Sequence, residues 1–158
     1  PGGRTIRKIT QYDLGYQFDT VSRSVYVPAF RNSMLPIFEV FDFANPNLVT
    51  GDRNTSTLPT QALFLMNDPE VVRASTKLAD KLLAISEIDD VERLGVAYLS
   101  ALGRKPTPVE IQAVERYLQQ EMTGVDGGTV LSEEELRRGA WARFCHALFA
   151  SLDFRYIE

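Results

Sequence analysis

Residues 67–85 read NDPEVVRASTKLADKLLAI, and within this stretch the sequence changes from irregular to helical patterning. Asp68, Pro69 and Glu70 place a capping side chain, a proline and an acid in succession, which is typical of the first turn of a helix. The apolar residues that follow recur at helical spacing, so the stretch predicts an amphipathic helix. Those residues are Val71, Leu78, Leu82 and Ile85, with Val72, Ala79 and Leu83 beside them.

Two more helices are predicted downstream from the signals at their ends. The first begins near Asp89 or Asp90 and stops at Gly103, because glycine readily adopts the left-handed conformation that follows many helices. The second begins with a capping box formed by Thr107 and Glu110. The apolar stripe of the first is Val91, Leu94, Tyr98, Ala101 and Leu102, and that of the second is Ile111, Val114, Leu118 and Met122.

A fourth long helix follows the glycine-rich loop Gly124–Gly128. Ser132 and Glu135 form another capping box at its start. Its apolar stripe is Leu136, Ala140, Trp141, Phe144 and Leu148, extending to Leu152. Because short connections favour antiparallel neighbours, residues 68–158 are expected to form an array of about four antiparallel helices.

The first part of the chain, residues 1–67, is predicted to be irregular with short helical pieces. MLPIFEVFDF, Met34–Phe43, predicts a short apolar helix whose aromatic residues pack inward. Pro59 fits an early position in another helix, which Thr55 or Thr57 can cap. The residues expected to be buried in that second helix are Ala62, Leu63, Leu65 and Met66, and the packed aromatics of the first are Phe38, Phe41 and Phe43.

These patterns together predict a mainly α fold. Residues 1–158 are expected to form a single domain, in which the irregular segment 1–67 wraps the helical array 68–158. A chain of 158 residues buries roughly 70% of its unfolded surface, so it needs no metal or disulfide to fold. The first residue is Pro1 rather than methionine, and we therefore expect a fragment or a processed product.

Composition argues against two classes of partner. The formal net charge is −4 and the basic residues are dispersed, whereas a nucleic-acid groove usually needs a basic face. No stretch approaches 18 consecutive apolar residues, so the sequence predicts no membrane span. We therefore expect neither nucleic acid nor a lipid bilayer to be the partner of this chain.

The inventory of reactive side chains excludes several catalytic and cofactor sites. His146 is the single histidine and Cys145 the single cysteine. Neighbouring residues of a helix point about 100° apart, so these two do not face each other, and packing in the core is the better interpretation. One histidine and one cysteine do not supply a zinc ligand set, and the C-x-x-C-H motif of c-type haem is absent. The sequence predicts no catalytic residue, no metal and no cofactor.

Clustered acids are interpreted as helix caps rather than as catalytic pairs. Asp89-Asp90 and Glu133–Glu135 both lie at predicted helix starts, where acids favour the positive end of the helix dipole. A hydrolase that uses carboxylates remains a lesser alternative, and it requires two carboxylates about 5 to 10 Å apart across a cleft. Near the polar segment it could draw on Glu39, Asp42, Asp52 and Asp68.

A dense polar segment supplies the candidate ligand-binding residues. They are Arg31, Arg53, Asn54, Gln61 and Asn67. Arginine offers a planar fork for carboxylate or phosphate, and the amides offer donors and acceptors suited to sugar hydroxyls. The stronger interpretation is that these side chains bond the long loop to its own backbone and to the helix ends. A site for an anionic ligand or a glycan is the alternative.

Four separated stretches follow one pattern in order. They are RSVYVPAFRN (23–32), FEVFDFANPNLVTGDRNTSTLPTQALFLMNDPEVV (38–72), AYLSALGRKPTPVE (97–110) and WARFCHALFASLDFRYIE (141–158). The pattern resembles the C-terminal part of the family catalogued as domain of unknown function 1553, abundant in planctomycetes. Its centre is an arginine, a threonine, PTQAL and an asparagine, here Arg53, Thr55 or Thr57, Pro59–Leu63 and Asn67.

The resemblance implies architecture rather than activity. Members are large exported proteins that carry an upstream segment resembling a c-type cytochrome, and this chain looks like their tail. The family offers no established activity to transfer. We therefore expect a non-catalytic, extracytoplasmic helical module that packs against upstream domains or another chain. The aromatic residues expected to form the packing surface are Tyr12, Tyr16, Phe18, Tyr26 and Phe30.

Overall fold

The computed structural model describes residues 26, 35–43, 59–123 and 132–155. Within these ranges the chain is helical and contains no strand, which confirms the prediction of a mainly α fold. The helices of the described residues are α1 Pro36–Val40, α2 Pro59–Asn67, α3 Pro69–Leu83, α4 Asp90–Leu102, α5 Pro108–Thr123, α6 Glu133–Ala150 and α7 Leu152–Arg155.

The chain divides into two compact units, residues 1–61 and 62–158. In the first unit, α1 is the predicted short apolar helix. Phe38 is buried and its ring stacks on that of Phe43 at a centroid distance of 4.8 Å. Phe41 is half-buried. The single domain, and the wrapping of the array by residues 1–67, stay predictions.

The break between α2 and α3 forms as the sequence predicts. Asp68 has extended backbone angles and caps α3. Its Oδ1 accepts hydrogen bonds from the backbone N–H groups of Glu70 at 2.9 Å and Val71 at 3.3 Å. These bonds satisfy donors that the first turn of a helix otherwise leaves without partners. Asp89 caps α4 in the same way by accepting from the N–H of Glu92 at 2.7 Å.

The two predicted capping boxes are both present. At the start of α5, Thr107 N donates to Glu110 Oε2 at 2.7 Å, and Glu110 N donates back to Thr107 Oγ1 at 3.3 Å. At the start of α6, Ser132 N donates to Glu135 Oε2 at 2.9 Å, and Glu135 N donates to Ser132 Oγ at 3.3 Å. Local sequence alone therefore places the starts of both helices.

Helix α6 is the centre of the second unit and packs against α3, α4, α5 and α7. It runs antiparallel to α3, as the ion pair between Arg138 near its start and Asp80 near the end of α3 shows. Near its end, His146 instead reaches Leu65, which precedes α3. The antiparallel prediction holds for this pair of helices.

Helices α4 and α6 run parallel, as alternate members of an up-and-down array do. Asp90 at the start of α4 pairs with Arg137 near the start of α6. Farther along both helices, the rings of Tyr98 and Phe144 lie 6.2 Å apart.

The core of the second unit lies around Trp141, which is 1% exposed. The Trp141 and Phe144 rings meet edge to face at 5.7 Å, a favoured aromatic geometry. The buried apolar residues of this core are Ala79, Leu82, Leu94, Ala97, Tyr98, Val114, Leu118, Ala140, Trp141, Phe144, Cys145 and Leu148.

Some residues that the sequence analysis expected to be packed are exposed. They are Phe43 at 41%, Leu63 at 58%, Met66 at 56%, Val72 at 42%, Ile85 at 37%, Val91 at 39% and Leu152 at 60%. Leu63 and Leu65 are two positions apart on a helix, so their side chains point to opposite sides of α2. The structure buries Leu65 and exposes Leu63. Leu152 is exposed because α6 ends at Ala150 and the extended Ser151 interrupts the helical register.

Gly103 ends α4 in the left-handed conformation, with φ at 69°. Replacing Gly103 with alanine is expected to lower the free energy of unfolding by about 1 kcal/mol, because a Cβ is disfavoured there. Gly95 is the matched control, since it lies inside the same helix and a Cβ at its position would meet only open space. Gly95→Ala is expected to stabilise by about 0.5 to 1 kcal/mol. Urea unfolding measures the free energy of unfolding of both variants. Equal changes for Gly103→Ala and Gly95→Ala would contradict the left-handed conformation of Gly103.

Candidate functional site

The five residues predicted to bind a ligand are only partly within the described residues. Arg31, Arg53 and Asn54 lie outside them. Gln61 is buried, with 7% of its surface exposed. Asn67 is exposed at the end of α2, where its Nδ2 donates to the carbonyl of Leu63 at 2.8 Å. This bond stabilises the last turn of α2, as the loop-bonding interpretation expects, and the ligand site stays a prediction.

Three of the four carboxylates considered for hydrolysis lie within the described residues. Asp68 is the cap of α3, and its oxygen is bonded to the first turn of that helix. Glu39 lies exposed on α1, and Asp42 follows that helix with a positive φ of 51°. Asp52 lies outside the described residues.

Arg93 is buried, with 5% of its surface exposed, and it closes the turn between α3 and α4. Its Nε donates to the carbonyl of Leu82 at 2.9 Å, and its Nη2 donates to those of Ile85 at 2.8 Å and Ile88 at 3.2 Å. Its Nη1 donates to Asp90 Oδ1 at 2.5 Å. The guanidinium also lies 5.8 Å from the Trp141 ring centre, within the range of a cation–π contact.

The buried charge of Arg93 is therefore compensated on every side. Asp90 also accepts a hydrogen bond from Arg137 at 2.6 Å, so one carboxylate joins α4 to α6. Four of the five N–H donors of this buried guanidinium have partners and its charge is paired, so Arg93 acts as a structural device. The sequence predicted a helix start near Asp89 or Asp90, and the structure has Asp89 as the cap and Asp90 in the first turn, where it is also an ion-pair partner.

A second network joins the α4–α5 loop to α7. Arg104 donates to both oxygens of Glu110, at 3.0 and 2.7 Å, and to Asp153 Oδ2 at 2.5 Å. Its guanidinium lies 5.4 Å from the Tyr98 ring centre. Hydrogen bonds from Arg104, aided by the backbone and side chain of Thr107, lower the pKa of Glu110 from 4.5 to about 2.

This pKa predicts a specific acid sensitivity. The folded-state pKa of Glu110 lies below its ordinary value, so its contribution to stability is present above pH 4.5 and is lost as the pH falls towards 2. Glu110→Gln is expected to cost about 1 kcal/mol at neutral pH, the scale of a partly exposed pair with a capping bond. The gap in the free energy of unfolding between wild type and Glu110→Gln, measured by urea unfolding, should narrow as the pH falls from about 5 to about 2. A constant gap would contradict this role.

Two more ion pairs hold the outside of α6. Arg138 donates to both oxygens of Asp80, at 2.5 and 2.9 Å, and the hydrogen bond lowers the pKa of Asp80. Arg143 pairs with Glu121 and donates to the hydroxyl of Tyr117. These contacts tie α6 to α3 and α5, and they leave the arginines of α6 committed to structure.

His146 and Cys145 are packed side chains, as the sequence analysis expected. Cys145 is completely buried, and burial raises the pKa of its thiol to about 12. His146 is half-buried and its Nε2 lies 3.0 Å from the carbonyl oxygen of Leu65. Since a nucleophilic cysteine needs a thiolate, Cys145 is unsuited to that role.

The described residues contain neither a metal-binding cluster nor a membrane-spanning helix. Across residues 59–123, 132–155 and the shorter described pieces, no three side chains among His, Cys, Asp and Glu are grouped to hold a metal ion. Within the same part of the chain, no helix has the length and apolarity needed to cross a membrane.

The outer side of α4 is an exposed apolar surface of the second unit. Val91, Gly95, Val96 and Leu99 lie there, and we call them the α4 outer stripe. Val91 is 39% exposed, Val96 37% and Leu99 49%. The opposite side of the same helix is buried in the core through Leu94, Ala97 and Tyr98. Helix α4 is therefore apolar on two sides, and the described residues cover only one.

Sequence reasoning missed this surface for a clear reason. It assigned Val91, Leu94 and Tyr98 to one buried stripe, but only the last two are buried. Positions 91, 95 and 99 are spaced by four residues and form a second row on the helix. The signal that could have revealed it is the four-residue spacing of Val91, Gly95 and Leu99, beside the row of Leu94 and Tyr98.

Comparison with known proteins places the chain in one family. The model of a family described as PSD1, a protein of unknown function (DUF1553), matches residues 3–118. Neither the curated proteins nor the solved structures contain a match. The family match covers most of the stretches from which the resemblance was predicted, including PTQAL and the start of α5. Because it extends over well more than half of the chain, this protein belongs to the DUF1553 family of unknown function.

Proposed function

We propose that this chain is a non-catalytic helical module that packs against another protein surface through the α4 outer stripe. The stripe is the observation that carries the proposal, because it exposes aliphatic side chains on a helix whose other side is already buried. Exposed apolar side chains grouped in one place are typical of protein contact sites.

The polar chemistry of the second unit supports the non-catalytic part of the proposal. Arg93, Arg104 and Arg138 each bind acids or carbonyls that connect helices. Cys145 is buried with a raised pKa, and His146 is bonded to backbone. The single histidine and the single cysteine of the chain thus make packing contacts rather than forming a catalytic pair.

The resemblance to exported planctomycete proteins supports a further part of the proposal. The chain would be the C-terminal part of a larger extracytoplasmic protein, and its stripe would meet upstream domains or another chain. No activity is proposed for the chain itself.

Cysteine labelling tests the packing role. Leu99→Cys places a thiol on the α4 outer stripe, and Ala74→Cys places a matched thiol on the exposed side of α3. At about 1 µM protein, a maleimide should label Leu99→Cys about tenfold more slowly in the natural longer protein than in the isolated chain. Ala74→Cys should react equally in both. Equal rates for Leu99→Cys would overturn packing against upstream domains.

A further inference from the structure

We propose that a second copy of this chain covers the α4 outer stripe, with the two α4 helices paired antiparallel about a two-fold axis at Gly95. This inference rests on the proposed function only in treating the stripe as a contact surface. It goes further by naming the partner and the register of the contact.

The stripe is complementary to itself. Val91 lies four residues before Gly95, and Leu99 lies four residues after it. In an antiparallel pair centred on Gly95, each Val91 meets Leu99 of the second copy, and both exposed aliphatic side chains become covered. This is the geometry of an isologous interface, in which one surface patch serves both subunits.

Gly95 has no role that the second unit by itself explains. It lies inside a helix, where glycine costs about 0.5 to 1 kcal/mol relative to alanine. A Cβ built at this position meets no atom within 4 Å. Steric crowding inside this chain therefore does not require glycine. A residue without a side chain lets a second helix approach closely at that point, as small residues do where helices cross.

Charges at the two ends of α4 favour the antiparallel arrangement. Glu87 lies just before the start of the helix and Lys105 lies just beyond its end, and both side chains are exposed. Within residues 59–123 and 132–155, no ion pair engages either side chain. In the register centred on Gly95, antiparallel pairing brings Glu87 of each copy beside Lys105 of the second copy. Opposite charges then face each other across the contact and help to fix its register.

The expected association is weak. One pair of 13-residue helices forms the contact, and it is smaller than the standard interface of about 800 Å² per partner. A dissociation constant of about 10 to 100 µM is expected. Such a contact is populated at high protein concentration, or where two longer proteins are held close together.

Sedimentation equilibrium of the 158-residue chain, from about 1 µM to about 1 mM, measures this association. The chain should pass from monomer to dimer across that range. Leu99→Lys should raise the dissociation constant at least about tenfold, because it places a charge in the apolar contact. Leu63→Lys is the control, since Leu63 is also an exposed leucine, 58% exposed on α2, but lies outside the stripe. It should leave the dissociation constant unchanged.

A cross-linking experiment tests the register. Under a mild oxidant at about 100 µM, Gly95→Cys should form a disulfide-linked dimer at least about tenfold faster than Ala74→Cys. Cys145 should not interfere, since it is buried. Equal cross-linking rates would overturn the pairing about Gly95.

A chain that stays monomeric up to about 1 mM would overturn self-pairing altogether. That result would leave the proposed function standing if Leu99→Cys is still protected in the longer protein. Conversely, dimerisation of the isolated chain without protection in the longer protein would overturn packing against upstream domains alone. The two experiments therefore separate the failure of one proposal from the failure of the other.

Discussion

Arg93→Ala should lower the free energy of unfolding by about 3 to 5 kcal/mol, because a buried acceptor that loses its donor costs about 1 to 3 kcal/mol and several lose theirs here. The guanidinium binds the carbonyls of Leu82, Ile85 and Ile88 as well as Asp90. Without it, these oxygens lose their donor in the turn between α3 and α4. Urea unfolding followed by circular dichroism measures the loss. Since domains of this size are stable by only about 5 to 15 kcal/mol, the variant should be close to unfolding.

Two further variants keep this expectation testable if Arg93→Ala does not fold. Arg93→Lys keeps the charge but not the planar fork, so it should lose most of the carbonyl bonds and fall between wild type and alanine. Arg137→Ala removes only the half-exposed partner of Asp90 and should cost less than about 1 kcal/mol. If Arg93→Lys matched wild type, the bonds to the carbonyls would not be what stabilises the turn.

Trp141→Ala is expected to cost about 3 to 5 kcal/mol, because it empties the centre of the core. Trp141 is 1% exposed and meets both the Phe144 ring and the Arg93 guanidinium. The protein contains one tryptophan, so unfolding of the variant must be followed by circular dichroism rather than by fluorescence.

Trp141→Phe is the matched control for this core position. It keeps an aromatic ring against Phe144 and removes less volume, so its cost should be clearly smaller than that of alanine. If alanine and phenylalanine cost the same, or if alanine costs less than about 1 kcal/mol, the placement of Trp141 at the centre of the core is wrong.

The sequence predicted what local chemistry controls. The caps at Asp68 and Asp89 and the boxes at Thr107 and Ser132 depend on residues only two or three positions apart, so short motifs place the helix starts. The end of α4 is predicted in the same way, because it depends on the single residue Gly103. The order and type of the helices follow from these signals together with the 3.6-residue period.

What the sequence could not predict depends on contacts between distant residues. Arg93 bonds to a carbonyl 11 positions away, and Arg138 pairs with an acid 58 positions away. Nothing in the local pattern distinguishes these arginines from ordinary surface ones. Exposure has the same difficulty: Val91 and Leu94 are both aliphatic in one helix, and the packing of the other helices around α4 determines which is buried.

The candidate ligand site was predicted from polar side chains, and it stays a prediction. Gln61 and Asn67 are the two predicted ligand residues that the structure describes, and Asn67 bonds to its own helix. The surface that supports the present proposals is apolar and contains a glycine. In the sequence, a glycine next to aliphatic residues indicates only a weak helix position, and its open surroundings appear only in three dimensions.

The position of α6 along the chain has a consequence for biosynthesis. This helix contacts α3, α4, α5 and α7, yet it is the last long helix of the described residues. A ribosome adds about 5 to 20 residues per second, so α3, α4 and α5 are synthesised about one to several seconds before α6 is complete. During that interval the core sides of these helices lack α6, which carries Trp141 and against which they pack. A nascent chain stalled so that α5 but not α6 has left the exit tunnel should therefore be sensitive to protease and dependent on chaperones, and release of α6 from the tunnel should end both conditions.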